Sequence, residues 1–418
     1  MIINLDELIG NCTCREHHML STSKIILRED AINDLPDILN EFHIGKHPMI
    51  VCDTNTYEAA GRLVQGLLPN SALICLNPDK LHADEKSVAF VTERLPNDTD
   101  ILLAVGSGTI HDITRYVAND RNLEFLSIPT AASVDGFVSS VAAMTWNGLK
   151  VTFTAKAPIC VVADSSIFSK APYRLTASGV SDLMGKYTAL ADWKIAHLLT
   201  GEYFCEKVFN LELKALEIVT SRLMELRNGD IEAYEQLMYA LLLSGLAMQM
   251  VGNSRPASGA EHHLSHLWEM AVINPVLNAY HGEKVSVGLS IVSEYYHGIK
   301  EKMKGRECYV TPYTGLQKEI IQYYFPKHLL EGIFLENQDD CLRYVEPYQL
   351  EEKMDEIASI IDMIPTPNRL KELLDMAGCV KMMEDIHLSD DLRSASLLLA
   401  PYVRNRLTLL RISKLFSR

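Results

Sequence analysis

The first third of the chain alternates short apolar runs with stretches of helical periodicity. Met49 to Cys52, closed by Asp53, is a β-rich run, and Thr56 to Leu68 then repeats its apolar positions at helical spacing. Ser71 to Leu76 is a second such run, with a helix expected around Lys86 to Leu95. Ile101 to Val105 leads into Gly106-Ser107-Gly108, then a helix from about Thr109 to Ala118, then Glu124 to Ile128 ending at Pro129. Strand, turn and helix in repetition predict a parallel sheet covered by helices. One hairpin interrupts the pattern: Val141 to Trp146 and Leu149 to Thr154 flank Asn147-Gly148, a pair suited to the positive φ angles of a type I′ turn.

After about Pro172 the pattern becomes amphipathic and long. Val180 to Leu199, Cys205 to Arg227, Ile231 to Val251, Leu350 to Met363 and Ser389 to Phe416 each read as helix. Gly305 to Tyr348 carries too weak a pattern to assign. At 418 residues two domains are expected. We place an α/β, Rossmann-like nucleotide-binding domain at residues 1–170 and a mainly α-helical, metal- and substrate-binding domain at 171–418, with the active site between them.

Charge and composition narrow the partners. A net charge of −15 disfavours nucleic acid, whose phosphates require clustered Lys and Arg. The nine cysteines are scattered and odd in number, which favours a reducing cytoplasm over a disulfide framework. Met1 to Gly10 lacks the basic start and apolar core of a signal peptide. The most apolar run, Tyr239 to Gly252, is too short to span a bilayer, so no stable membrane insertion is expected.

The candidate chemistry lies in Ser254-Arg255-Pro256-Ala257-Ser258-Gly259-Ala260-Glu261-His262-His263-Leu264-Ser265-His266 and in His281-Gly282-Glu283-Lys284. His262 and His266 stand one helical turn apart, and His281 opens the next segment. Clustered imidazoles suggest a metal that needs an anionic ligand from elsewhere, and Asp182 is the best upstream candidate. On the other side, Gly106-Ser107-Gly108 sits where a strand hands over to a helix, with His111 where a full dinucleotide fingerprint has its third glycine. Glycines there admit a pyrophosphate to the helix N-terminus, though a plain turn is an equal reading. Thr130 to Ser133 follows another strand end. Asp53 could bond an adenosine ribose or simply cap the following helix. Cys12, Cys14, His17 and His18 suggest a second metal site only weakly, because no distant partner pair is evident, and a flexible amino-terminal segment is expected. Arg404, Arg406, Arg411 and Lys414 read as a solvated helix face.

Taken together, Gly106-Ser107-Gly108-Thr109-Ile110-His111-Asp112, Ile128-Pro129-Thr130-Ala131-Ala132-Ser133-Val134-Asp135-Gly136, Gly179-Val180-Ser181-Asp182, Ser254 to His262 and His281-Gly282-Glu283 resemble the sn-glycerol-1-phosphate dehydrogenase family, particularly its bacterial branch. That family stands beside the glycerol dehydrogenases, iron-type alcohol dehydrogenases and dehydroquinate synthases. The resemblance implies a dehydroquinate synthase-like fold and NAD(P)H-dependent reduction of dihydroxyacetone phosphate to sn-glycerol 1-phosphate, a reaction of phospholipid metabolism. It further implies Asp182, His262 and His281 as ligands of one Zn²⁺ or Ni²⁺, and Asp135 and His266 as substrate contacts. Nucleotide contacts are implied at Asp53, Gly106, Ser107, Gly108, Thr109, Ile110, Thr130, Ala131, Ala132, Ser133 and Ser139, and the bacterial members suggest a homodimer. His263 offers an alternative register for His262. Arg255, Lys150, Lys156 and Lys284 are candidate cations for the substrate phosphate. Competing readings are a metal-dependent polyol dehydrogenase, a dehydroquinate-synthase-like lyase, and a non-catalytic protein that binds metal and nucleotide.

Overall fold

The computed structural model describes residues 3–10, 12, 14 and 18–417, without the side chains of Asp6 and Glu7. The strands of the first 170 residues are β1 (Lys24–Arg28), β2 (Pro48–Asp53), β3 (Ala72–Leu76), β4 (Ile101–Gly106), β5 (Glu124–Pro129), β6 (Val141–Trp146), β7 (Leu149–Thr154) and β8 (Cys160–Asp164), and a short antiparallel pair, Tyr309–Val310 with Phe416–Ser417, lies farther along the chain. Six of them form one sheet in the order β1-β8-β5-β4-β2-β3, every neighbouring pair parallel. Ile101 to Val105 are fully buried, as a central parallel strand covered on both faces requires. β1 and β8 escaped the sequence reading; each is followed first by a helical piece of only four residues, so the strand–turn–helix pattern is weak there.

The strand order creates a crevice. From β2 the chain moves outward to β3, crosses back to β4 on the other flank of β2, and continues to β5. The carboxyl ends of β2 and β4 therefore flank a topological switch point, the usual ligand crevice of such sheets. Asp53 ends β2 and Gly106 ends β4. Thr130, just past β5, donates its backbone N–H to the Gly106 carbonyl at 3.0 Å.

The β6–β7 hairpin has the expected register, from Val141↔Thr154 to Trp146↔Leu149. Asn147 and Gly148 take φ of 51° and 82° at its turn.

Beyond residue 172 the chain is largely helical, but several of the long expected helices are broken, Leu350 to Met363 among them, which divides at Lys353 into Pro347–Glu352 and Met354–Ile361. Val180 to Leu199 divides at Gly185 into Tyr173–Met184 and Lys186–Thr200, and Cys205 to Arg227 divides into Glu206–Thr220 and Leu223–Arg227. Ile231–Val251 is a single helix, buried over most of its length. Ala260–Glu269 carries His262 and His266, and His281–Lys304 begins on His281. A Cβ on Gly282 would stand 2.0 Å from the Ser178 carbonyl oxygen, so only glycine lets this last helix press its start against the Asp182 helix.

Two expectations fail at the chain ends. Ser389 to Phe416 is not one solvated helix but short pieces, among them Arg393–Leu399 and Leu409–Ile412. Irregular buried backbone must find partners for its carbonyls, and the arginines supply them. Arg411 is buried against Asp340, Asn337 and the carbonyls of Pro401 and Arg404. Arg406 bonds the Ser258 carbonyl at 2.7 Å. At the amino end, Ile3, Leu5, Leu8 and Leu20 pack into the helical core rather than hanging free. Among the described residues no helix is long and apolar enough to cross a membrane.

Candidate active site

The Tyr173–Met184 helix, the Ala260–Glu269 helix and the start of the His281–Lys304 helix bring Asp182, His262 and His281 together, with one donor atom of each inside a 4.8 Å group. Nε2 of His262 lies 3.4 Å from Oδ1 of Asp182. Each imidazole is oriented by a carboxylate on its far nitrogen. Nδ1 of His262 donates to Glu261 Oε1 at 2.7 Å, and Nδ1 of His281 to Glu269 Oε1 at 3.0 Å. Because a carboxylate only accepts, the neutral form of each ring keeps its proton on Nδ1 and carries its lone pair on Nε2, turned inward. Glu261 is itself held by the Thr188 hydroxyl at 2.5 Å and the Gly259 N–H at 2.6 Å.

This donor set fits a divalent cation. Burial pushes the Asp182 carboxyl up, but Lys186, the His262 hydrogen bond and His281 outweigh it and hold it below the usual carboxylate range. Burial likewise opposes charge on His262, yet Asp182 and Glu261 raise it to about 9. A field that draws a proton to that ring draws a metal ion equally well. His263 lies outside that donor set, with both ring nitrogens buried and unpartnered, and burial with Arg406 and Arg411 nearby keeps it uncharged. The donor group contains His262 and not its neighbour.

His266 closes the third side. Its ring centroid is 6.1 Å from those of His262 and His281, and its buried Nδ1 has no partner. Burial lowers its pKa well below that of free histidine, so it acts as neutral imidazole. Asp135 is more engaged than expected of a substrate contact. Its Oδ2 pairs with Lys186 Nζ at 2.6 Å and accepts from Ser244 at 2.9 Å, while its backbone N–H donates to Asp182 Oδ2 at 3.0 Å.

Sequence reasoning gave no role to Lys186, Glu212, Ser244 or Glu269. Lys186 is fully buried between Asp135 and Asp182, which keep it charged despite burial. Glu212 shares the Ser244 hydroxyl, and burial pushes its carboxyl up to about 8. Glu269 lies three residues after His266 on the same helix face; that spacing was the available signal.

The four candidate phosphate cations separate cleanly. Lys150, delivered by the hairpin, is 2.9 Å from Glu269, and Lys284 is 3.3 Å from it. Lys156 instead pairs with Glu124 at the opposite end of β5, and Arg255 is consumed by Glu202 and the carbonyls of Asp192 and Leu407. Arg404 reaches Thr152 on the hairpin and contributes to the field at His266.

On the sheet side, Ser107 precedes the Gly108–Arg121 helix, whose first turn holds Thr109 and Ile110. A Cβ on Gly108 would meet the Val134 side chain at 3.0 Å, so the packing there is tight even without a ligand. His111 bonds the Ser107 carbonyl and the Ser127 hydroxyl, and burial lowers it to about 3, making it a structural brace of the turn. Asp53 does cap its helix, accepting from Thr56 N–H at 2.9 Å through Oδ1. Thr130, Ala131, Ala132 and Ser133 are buried beneath the crevice, with the Ser133 hydroxyl unpartnered. Ser139 spends its hydroxyl on the Val141 carbonyl.

Comparison with known proteins agrees with this architecture. Residues 26–172 match the iron-containing alcohol dehydrogenase family model. The chain is 33% identical over 417 residues to a glycerol-1-phosphate dehydrogenase (NAD(P)+) of Geobacillus thermodenitrificans, covering 97% of this chain and 96% of the relative. It is 34% identical over 410 residues to that of Halalkalibacterium halodurans, covering 96% and 94%. Among solved structures, an archaeal halo-thermophilic alcohol dehydrogenase from a Red Sea brine pool shares the fold with a TM-score of 0.63 at 16% identity, over 94% of each chain. Near-complete coverage at this identity places the chain in the glycerol-1-phosphate dehydrogenase family of NAD(P)-dependent oxidoreductases, within the dehydroquinate synthase-like fold.

Proposed function

We propose that this protein reversibly reduces dihydroxyacetone phosphate to sn-glycerol 1-phosphate with NADH or NADPH. The observation that carries the reading is the inward-facing group of Asp182, His262 and His281, each imidazole fixed by its own carboxylate. A Zn²⁺ or Ni²⁺ ion held there would supply Lewis acidity toward the substrate carbonyl oxygen.

The remaining roles belong to the chain. Neutral His266, whose ring borders those of His262 and His281, serves as the group that gives or takes a proton at the reacting oxygen. Asp135 positions Lys186 against Asp182 and so keeps the anionic ligand charged. Lys150, Lys284 and Arg404 converge from three elements on the Glu269–His266 side, where they favour the substrate phosphate. The nucleotide lies across the crevice at the ends of β2 and β4, its pyrophosphate at Gly106 to Ile110 and its adenosine ribose at Asp53. Residues Thr130 to Ser133 and Ser139 line its floor. In this reading residues 1–170 hold the nucleotide and 171–418 the metal and substrate, and the working form is a cytoplasmic homodimer.

Comparing turnover of dihydroxyacetone phosphate, dihydroxyacetone and a heptulosonate phosphate tests the substrate assignment. The phosphorylated triose should be reduced far faster than dihydroxyacetone. Equal rates on the two ketones would support a polyol dehydrogenase, and elimination from the heptulosonate phosphate a lyase.

A further inference from the structure

A second group of metal-binding side chains lies apart from the cleft. Cys12, Cys14, His18 and Cys205 place one donor atom each within 4.8 Å of one another. Cys12 Sγ is 3.2 Å from Cys14 Sγ and 3.5 Å from Cys205 Sγ. Nε2 of His18 is 3.1 Å from Cys14 Sγ and 3.2 Å from Cys205 Sγ. A tetrahedron on Zn–S bonds of about 2.3 Å has sulfur–sulfur edges of about 3.8 Å, so a small outward shift admits the ion. The sequence concealed the fourth ligand, since Cys205 lies 187 residues beyond His18.

The surroundings are those of a built site. Nδ1 of His18 donates to the Met250 carbonyl at 2.8 Å, which leaves the Nε2 lone pair facing the sulfurs. His18 and Cys205 are buried. Three thiolates around Zn²⁺ carry one net negative charge. Cys205 sits at the N-cap of the Glu206–Thr220 helix, where the unpaired N–H groups of the first turn favour an anion. The Tyr203 hydroxyl donates to Cys14 Sγ at 3.5 Å.

We propose that Cys12, Cys14, His18 and Cys205 form a structural zinc site that staples the amino-terminal segment to the Glu206–Thr220 and Ile231–Val251 helices. On binding, each of the three thiols loses its proton to solvent and each sulfur gains a bond to zinc, with no change of oxidation state. Three sulfurs and one imidazole form a donor set selective for zinc, unlike the one carboxylate and two imidazoles of the cleft.

The test is zinc content of the full chain after equilibration with Zn²⁺ and desalting, compared among wild type, His281→Ala, Cys12→Ser and Cys205→Ser. His281→Ala should still hold one zinc, whether or not the cleft reading is right. Adding Cys12→Ser or Cys205→Ser to it should remove that zinc and expose the segment before Lys24 to limited proteolysis. Cys12 is only half-buried, so its variant remains informative if Cys205→Ser misfolds. Zinc retained undiminished in the folded His281→Ala, Cys12→Ser protein would overturn the proposal. So would a wild-type mass about two units low from a native disulfide among these cysteines.

Discussion

Nδ1 of His262 lies 2.7 Å from Oε1 of Glu261, the residue immediately before it in the chain. Adjacent residues on a helix point in different directions, yet here the Glu261 carboxylate is turned back by Thr188 and by the Gly259 N–H until it faces the imidazole. Glu261→Gln should weaken cleft metal affinity by about tenfold to a hundredfold, since an amide orients the ring less firmly and adds no negative charge. Competition against a chelator measures this. Unchanged affinity would leave Glu261 a purely structural partner of Thr188.

His266→Ala should separate chemistry from ligation. Its Nδ1 has no partner in the protein, and it stands outside the group of three donors. Turnover should fall by about 10²- to 10⁴-fold while cleft metal content stays at the wild-type level. Loss of metal in step with activity would make His266 a ligand instead.

Asp53 tests the nucleotide placement. Its Oδ1 is occupied by the helix cap, and asparagine caps a helix about as well as aspartate. Asp53→Asn should therefore leave thermal stability unchanged while shifting the NADPH-to-NADH activity ratio upward, because the charge that repels a 2′-phosphate is gone. A constant ratio would confine Asp53 to capping.

Glu212 gives stability a pH dependence. Burial, opposed by Lys186 and reinforced by Asp135, raises its carboxyl in the folded state to about 8 from an ordinary 4.5. The folded protein then binds the proton more tightly than the unfolded chain, so this contribution is full below about pH 4.5 and is lost as pH rises through about 8. Glu212→Gln imitates the protonated acid and should flatten the decline in melting temperature over that window. An unaltered profile in the variant would show that Glu212 is already ionised in the native protein.

The sequence carried most of the sheet and the site, for identifiable reasons. β2, β4 and β5 were legible as continuous apolar runs and β3 as a shorter run at the sheet edge, each joined to a clear turn or helix pattern, and the hairpin because Asn147-Gly148 fixes its turn. β1 and β8 are each followed first by a four-residue helical piece, Ala31–Asp34 and Ser165–Phe168, so no strong strand–turn–helix pattern marks them. Helix breaks at Gly185 and near Ser221 were invisible, since amphipathic periodicity continues across them. In the cleft, Asp182, His262, His266 and His281 were recognisable by residue type and motif, whereas Lys186, Glu212 and Glu269 matter through contacts made only after folding. The carboxyl-terminal arginines were misread because charge suggests solvent, and nothing local reveals a buried backbone in need of donors.

The most direct measurement is the handedness of the glycerol phosphate formed from dihydroxyacetone phosphate and NADH by protein loaded with Zn²⁺ or Ni²⁺. The account predicts sn-glycerol 1-phosphate as the product, formed in a reaction that chelation abolishes and metal restores. Predominant sn-glycerol 3-phosphate, or undiminished turnover after the metal is removed, would contradict it.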